Sequence, residues 1–169
     1  MRLQLLRETN CISIYYDSLN EWLFLDWEGE LTLPAVQAAC LEVAYCFLPR
    51  PYARVLNSNA QVTGMSWSVA AWLAAEFLPH LALAGITQVA WVYSPSLRGR
   101  SVVQTVLSWL PGPVVSSFDD LDGAVTWLQH TRPGRAAGPP LPRLPAAQAK
   151  LEGVVQGLYQ KVAAQVPVL

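Results

Sequence analysis

Tyr52-Ala-Arg-Val-Leu-Asn57, then Ser68-Val-Ala-Ala-Trp-Leu-Ala-Ala-Glu-Phe-Leu-Pro-His-Leu-Ala-Leu-Ala-Gly-Ile86, then Thr87-Gln-Val-Ala-Trp-Val-Tyr93 are the stretches that decide the fold. The first and last are short β-prone runs, and the last reads as a fully buried strand. Between them lies an apolar run of helical length. Strand, helix and strand in that order make a parallel crossover. Pro79 must break or kink the helix, because it has no amide to donate, and Gly85 suits its C-terminal stop. The run is apolar enough to raise the question of a membrane span. Glu76, Pro79 and His80 interrupt its middle, where charge is expensive in lipid, so it reads as a buried helix and no transmembrane segment is expected.

Towards the N-terminus, Cys11–Asp17 alternates Ile12, Ile14 and Tyr16 with more polar neighbours, and Glu21–Trp27 is apolar on both faces. Asp17-Ser-Leu-Asn20 turns one into the other, which predicts an antiparallel hairpin with the second strand more central. A helix follows from Thr32 or Leu33 to about Leu48, with Pro34 in its first turn and Pro49 and Pro51 ending it. The stretch Ser58 to Met65 reads as a loop between the third strand and the long helix.

Towards the C-terminus, Ser94–Leu97 is loop and Arg98–Leu110 a helix, with Val103, Val106, Leu107 and Leu110 on one face. Pro111-Gly-Pro113 ends it, and Val114–Ser116 begins a short fifth strand. Asp119, Asp120 and Asp122 open a last domain helix, where they suit its dipole, with Leu121, Ala124, Val125 and Leu128 as its inner stripe. The order ββαβαβαβα predicts an α/β domain over residues 1–130, with helices packed on a mostly parallel five-stranded sheet. Residues 131–145 hold five prolines and three arginines and read as an extended linker. Residues 146–169 resume helical spacing, with Leu151, Val154, Val155, Leu158, Val162 and Val166 on one side of an amphipathic helix. Gly153 and Gly157 are spaced like a close-packing pair, and exchange of this helix between two subunits is expected.

Composition narrows the functional classes. Charged residues make up 14% of the 169 and apolar residues 53%, against about 25% and 45–50% in ordinary soluble chains. The excess argues for apolar surface buried beyond one core, in a homo-oligomer or around a lipid-like ligand. A net charge of −1 provides no field for nucleic acid or an anionic membrane. Cys11, Cys40 and Cys46 form no C-x-x-C pair and read as buried thiols in a reducing cytoplasm. The leucines between Arg2 and Arg7 are too short a run for a signal peptide.

The order of elements resembles the STAS superfamily, shared by sulfate transporters and bacterial anti-sigma-factor antagonists, and in particular small bacterial STAS-like proteins related to the lipid-binding CRAL-TRIO domain. The resemblance covers about residues 8 to 130. It is carried by Val55-Leu56-Asn57-Ser58, by Trp72 with Pro79 and Gly85, by Val89-Ala90-Trp91-Val92, and by Phe118 to Leu128. It implies a regulatory module. In anti-sigma-factor antagonists a phosphorylatable serine stands in Asp-Ser-Ser-Gly where the loop enters the helix. The corresponding Met65-Ser66-Trp67-Ser68 lacks both the aspartate and the glycine. Ser66 and Ser68 are candidate phosphate acceptors there, while Ser66 or Thr63 also reads as a plain helix cap.

The candidate ligand site is topological. Ligands of open parallel sheets favour the crevice beyond the carboxyl ends of the strands. That edge carries Asn57, Ser58, Asn59, Ser94, Ser96, Arg98 and Ser117, a set able to hold a carboxylate or phosphate and equally able to serve turns and caps. Trp67 with Trp72, and Trp91 with Trp109, are candidates to line an apolar cavity, while Trp72 and Trp91 read first as filling the core between the long helix and the sheet, with Trp72 buried. His80 and His130 have no partner in sequence, and metal-ligand spacing, nucleotide loops and a nucleophile elbow are absent from the sequence. The expectation is a non-catalytic regulatory or protein-interaction module without a cofactor. It would bind a protein partner or self-associate through the C-terminal helix. The alternative is a carrier or sensor for a small apolar or anionic ligand.

Overall fold

The computed structural model of the chain describes residues 1–95, 113–131 and 143–164. Among these residues six strands form one sheet in sequential order: β1 (Leu3–Glu8), β2 (Ile12–Asp17), β3 (Trp22–Leu31), β4 (Arg54–Met65), β5 (Gln88–Val92) and β6 (Val114–Phe118). The first three run antiparallel as a meander. The pairs β3–β4, β4–β5 and β5–β6 are parallel. The sheet is therefore mixed and has one strand more than the sequence predicts. β1 is the addition. Its side chains are almost all exposed, so it shows no inside–outside alternation, and its ladder to β2 holds it at the sheet edge.

The predicted hairpin is β2–β3, and Asp17 fixes its turn. Its Oδ1 accepts the amides of Arg2 at 2.9 Å and Leu19 at 3.0 Å, and its Oδ2 accepts Asn20 Nδ2 at 2.7 Å. Burial alone would raise this carboxyl; the hydrogen bonds from Asn20, Arg2 and Leu19 outweigh it and hold the group below its ordinary range. The predicted first helix is α1 (Leu33–Phe47), with Pro34 in its first turn.

Two expectations between Ser58 and Gly85 need correction. The stretch read as a loop from Ser58 is the second half of β4, paired with the far end of β3 through two register shifts, one beside Gly29 at φ 72°. Its exposed polar side chains gave no β period. The long apolar helix is three short pieces: α2 (Trp67–Trp72), a π-helical turn (Leu73–Phe77) and a 3-10 turn (Leu78–His80). Pro79 is the cause. It cannot donate to Ala75, and its ring crowds that carbonyl. The turn before it widens, and Leu78 donates to Leu73 instead. Gly85 ends the segment at φ 91°, as predicted.

Side chains alternate across the sheet into two cores. Leu23, Leu25, Trp27, Val55 and Val89 join α1 and the α2 segment on one face. Trp22, Phe24, Leu56, Ala90 and Val92 meet α3 (Leu121–His130) on the other. The N-cap of α3 is Asp120, whose carboxylate accepts the Gly123 amide at 2.8 Å. Its buried inner residues Ala124 and Leu128 are among those the spacing gave. The buried Arg54 guanidinium donates to Leu128 O at 2.8 Å and to Asn20 O, tying α3 to the hairpin turn.

The C-terminal helix, α4 (Pro145–Ala163), lies on α1 of the same chain and sends Leu151, Val155 and Leu158 into the larger core. Each such burial contributes about 1.5–3 kcal/mol. The stripe is as predicted up to Val162, while Val166 lies outside the described residues. Gly153 and Gly157 face open space, so they do not serve close packing. The predicted helix Arg98–Leu110 and most of the predicted linker also lie outside the described residues.

Candidate functional site

Crossing from β4 to β5 through the broken helix leaves a space between sheet and helices. It is a cavity of about 80 Å³, floored by β3, β4 and β5 and roofed by α1, the π-helical turn and the 3-10 turn. Trp27, Val62, Phe77, Leu78 and Trp91 are among its walls, and among the described residues no lining side chain is charged. Burial pushes the Cys40 thiol well above its ordinary value, so it stays protonated.

Its polar atoms come from the predicted set. In β4, Val55 and Asn57 face the cavity while Leu56 belongs to the opposite core, as strand alternation requires. Asn57 is only 4% exposed. Its Oδ1 accepts Trp27 Nε1 at 3.0 Å, which fixes which way the amide points. The other end, Nδ2, is buried and has no hydrogen-bond partner among the described residues. Trp91 pairs with Asn57 in the β4–β5 register and lines the same cavity, and its buried Nε1 has no partner among the described residues. Asn59 and Ser94 also line it but are engaged, Asn59 Nδ2 with Val92 O at 3.0 Å and Ser94 Oγ with Val62 O at 2.8 Å.

The structure thus brings Asn57, Asn59 and Ser94 together. Ser58, one residue on from Asn57, points to the opposite face and bonds Asp26. Burial raises that carboxyl and nearby Glu28 adds to the effect, against hydrogen bonds from Ser58 and Gln61. Ser117 shares the strand row of Asn57 and Trp91 but is exposed on β6. Ser96 and Arg98 lie outside the described residues. Ser66 holds the N-cap position of α2 without capping through its side chain; its Oγ lies 2.8 Å from Ser68 Oγ, and both residues are exposed.

Of the tryptophans proposed to line a cavity, Trp91 does. Trp67 is 61% exposed. Trp72, expected to be buried, is half-buried and stacks on Phe77 at 6.4 Å. Trp109 lies outside the described residues. Trp27 and the roof residues Phe77 and Leu78 were not anticipated as lining, because a strand tryptophan and a helical apolar run look like ordinary core in sequence. The Pro79 break was the available signal.

Sheet order and successive crossovers define the class: an α/β protein built on a mixed sheet, with an apolar cavity under the second crossover. No protein-family model and no curated protein matches the sequence. Among solved structures, the chain is similar to an uncharacterised DUF3478-family protein from Shewanella loihica PV-4 with a SpoIIAA-like fold. Identity there is 20%, over 75% of this chain and 91% of that one, at TM-score 0.45. It is also similar to apo-SiaC from Pseudomonas aeruginosa, at 14% identity over 69% and 98% and TM-score 0.43. A further SiaC structure gives 14% over 70% and 100%, at TM-score 0.42. These are likenesses of fold alone. Among the described residues no helix is long and apolar enough to cross a membrane.

Proposed function

We propose that this chain is a non-catalytic regulatory module of STAS type whose input is a small, largely apolar ligand held between the sheet and the π-helical turn. The cavity carries the reading. Protein interiors leave few voids larger than a water molecule, and the lining of a void forfeits dispersion contacts. Here the void holds about 80 Å³, and two buried nitrogen donors on its walls have no partner among the described residues. An entering ligand recovers both losses.

The roof makes the reading regulatory. π-helical and 3-10 turns have weaker, irregular hydrogen bonding than an α-helix, so ligand entry acts on the segment least firmly held. A protein partner would sense that shift. Ser66 and Ser68 stand exposed where the roof begins, which suits a phosphate acceptor. Three buried free cysteines suit a reducing cytoplasm.

The test is mass spectrometry of an organic extract of the purified chain, beside the cavity-filling variant Ala70→Leu. A stoichiometric apolar species in the wild type that is missing from the variant supports the reading. Identical extracts contradict it.

A further inference from the structure

We infer that the ligand carries a neutral, acceptor-only polar group, a ketone or ester carbonyl, read by Asn57 Nδ2 and Trp91 Nε1. This rests on the apolar-ligand reading above and adds the chemistry of its polar end.

Among the described lining residues, the two buried polar atoms without partners are both donors. Asn57 could present either end of its amide, but the Trp27 indole occupies Oδ1 and leaves the NH₂ for the cavity. Trp91 has only an N–H to offer. The two residues are register partners on adjacent parallel strands, whose spacing is about 4.8 Å. One oxygen with two lone pairs can serve both. Leaving such donors unpaired is costly, so a matched acceptor gains more than its own hydrogen bonds.

The same lining excludes other head groups. A carboxylate or phosphate would be buried with no cation among the described lining residues. A primary amide brings N–H groups of its own to a place already rich in donors. Size sets the apolar arm. A dry cavity of about 150 Å³ admits a benzene ring, so about 80 Å³ limits the apolar arm to a few carbons.

Three probes decide between these chemistries on the full chain: pentan-2-one, pentanoate and pentane. Binding is followed by ¹H–¹⁵N correlation spectra of the Trp91 indole and the Asn57 side-chain amide. Pentan-2-one is expected to bind tightest and to move both signals downfield, with pentane weaker and pentanoate weakest. Trp91→Phe, which keeps the ring and removes the N–H, should weaken pentan-2-one about three- to tenfold, the worth of one hydrogen bond, and leave pentane unchanged. Equal binding of ketone and pentane overturns the carbonyl inference and leaves the apolar-ligand reading standing. Preference for pentanoate overturns it too. No binding by any probe overturns both. The wild-type ranking stands as a test even if the variant fails to fold.

Discussion

Asn57 shows how one polar residue in a buried row becomes a candidate site: its neighbours fix one end of the amide and leave the other unmet. Asp17 is the contrasting case, a buried carboxylate with its acceptors engaged. Replacing it by alanine strands the Asn20 side chain and the turn amides and should cost about 2–3 kcal/mol in urea denaturation. Its pH signature follows from the sign of its shift. The folded carboxyl titrates below its unfolded value, so its contribution is present above about pH 4 and is lost as pH falls through the folded value. Asp17→Ala should therefore flatten the acid limb of the stability curve; an acid limb parallel to wild type argues against this role. Gly85 carries a backbone requirement. At φ 91°, with an added Cβ only 3.2 Å from Pro51 Cβ, alanine there should cost about 1–2 kcal/mol. A melting temperature equal to wild type would show that the turn relaxes freely.

At the scale of elements, α4 binds through its stripe, with polar ties at both ends. Arg143 donates to Ala84 O at 2.8 Å, and Lys161 pairs with Glu76 on the π-helical turn. Leu151→Ala should cost about 2–4 kcal/mol. Lys161→Ala, breaking an exposed pair, should cost under about 1 kcal/mol. The reverse ranking would mean that charge, and not burial, holds the helix. Light scattering on the full chain tests the expected exchange between subunits; a monomer there excludes it.

The same elements show where the sequence was legible. Strong periods gave the β2–β3 hairpin, α1, α3 and the stripe of α4. β1 and the second half of β4 are held by backbone ladders under exposed side chains, so no hydrophobic period announces them. The π-helical turn was hidden because an apolar run reads alike in α and π geometry, and only Pro79 marked the break. Of the candidate site, Asn57 was reached through topology. Its pairing with Trp27 and Trp91 depends on strand register, which the sequence left open.

On the scale of the whole molecule, the larger core carries all three cysteines. Burial pushes the Cys46 thiol up to about 11 from an ordinary 9.0, and raises Cys40 and Cys11 as well. Between about pH 9 and 11 the unfolded chain releases thiol protons that the folded chain keeps, so stability should fall as pH rises through that window. A denaturation midpoint level across it would contradict the burial of these thiols.

The same core holds the cavity on which the functional account depends. Xenon occupies dry apolar cavities, so diffraction from a crystal under xenon pressure tests it most directly. The account predicts a xenon site bounded by Phe77, Leu78 and Trp91, lost in Ala70→Leu. A core with no xenon there, its space closed by the roof side chains, would contradict it.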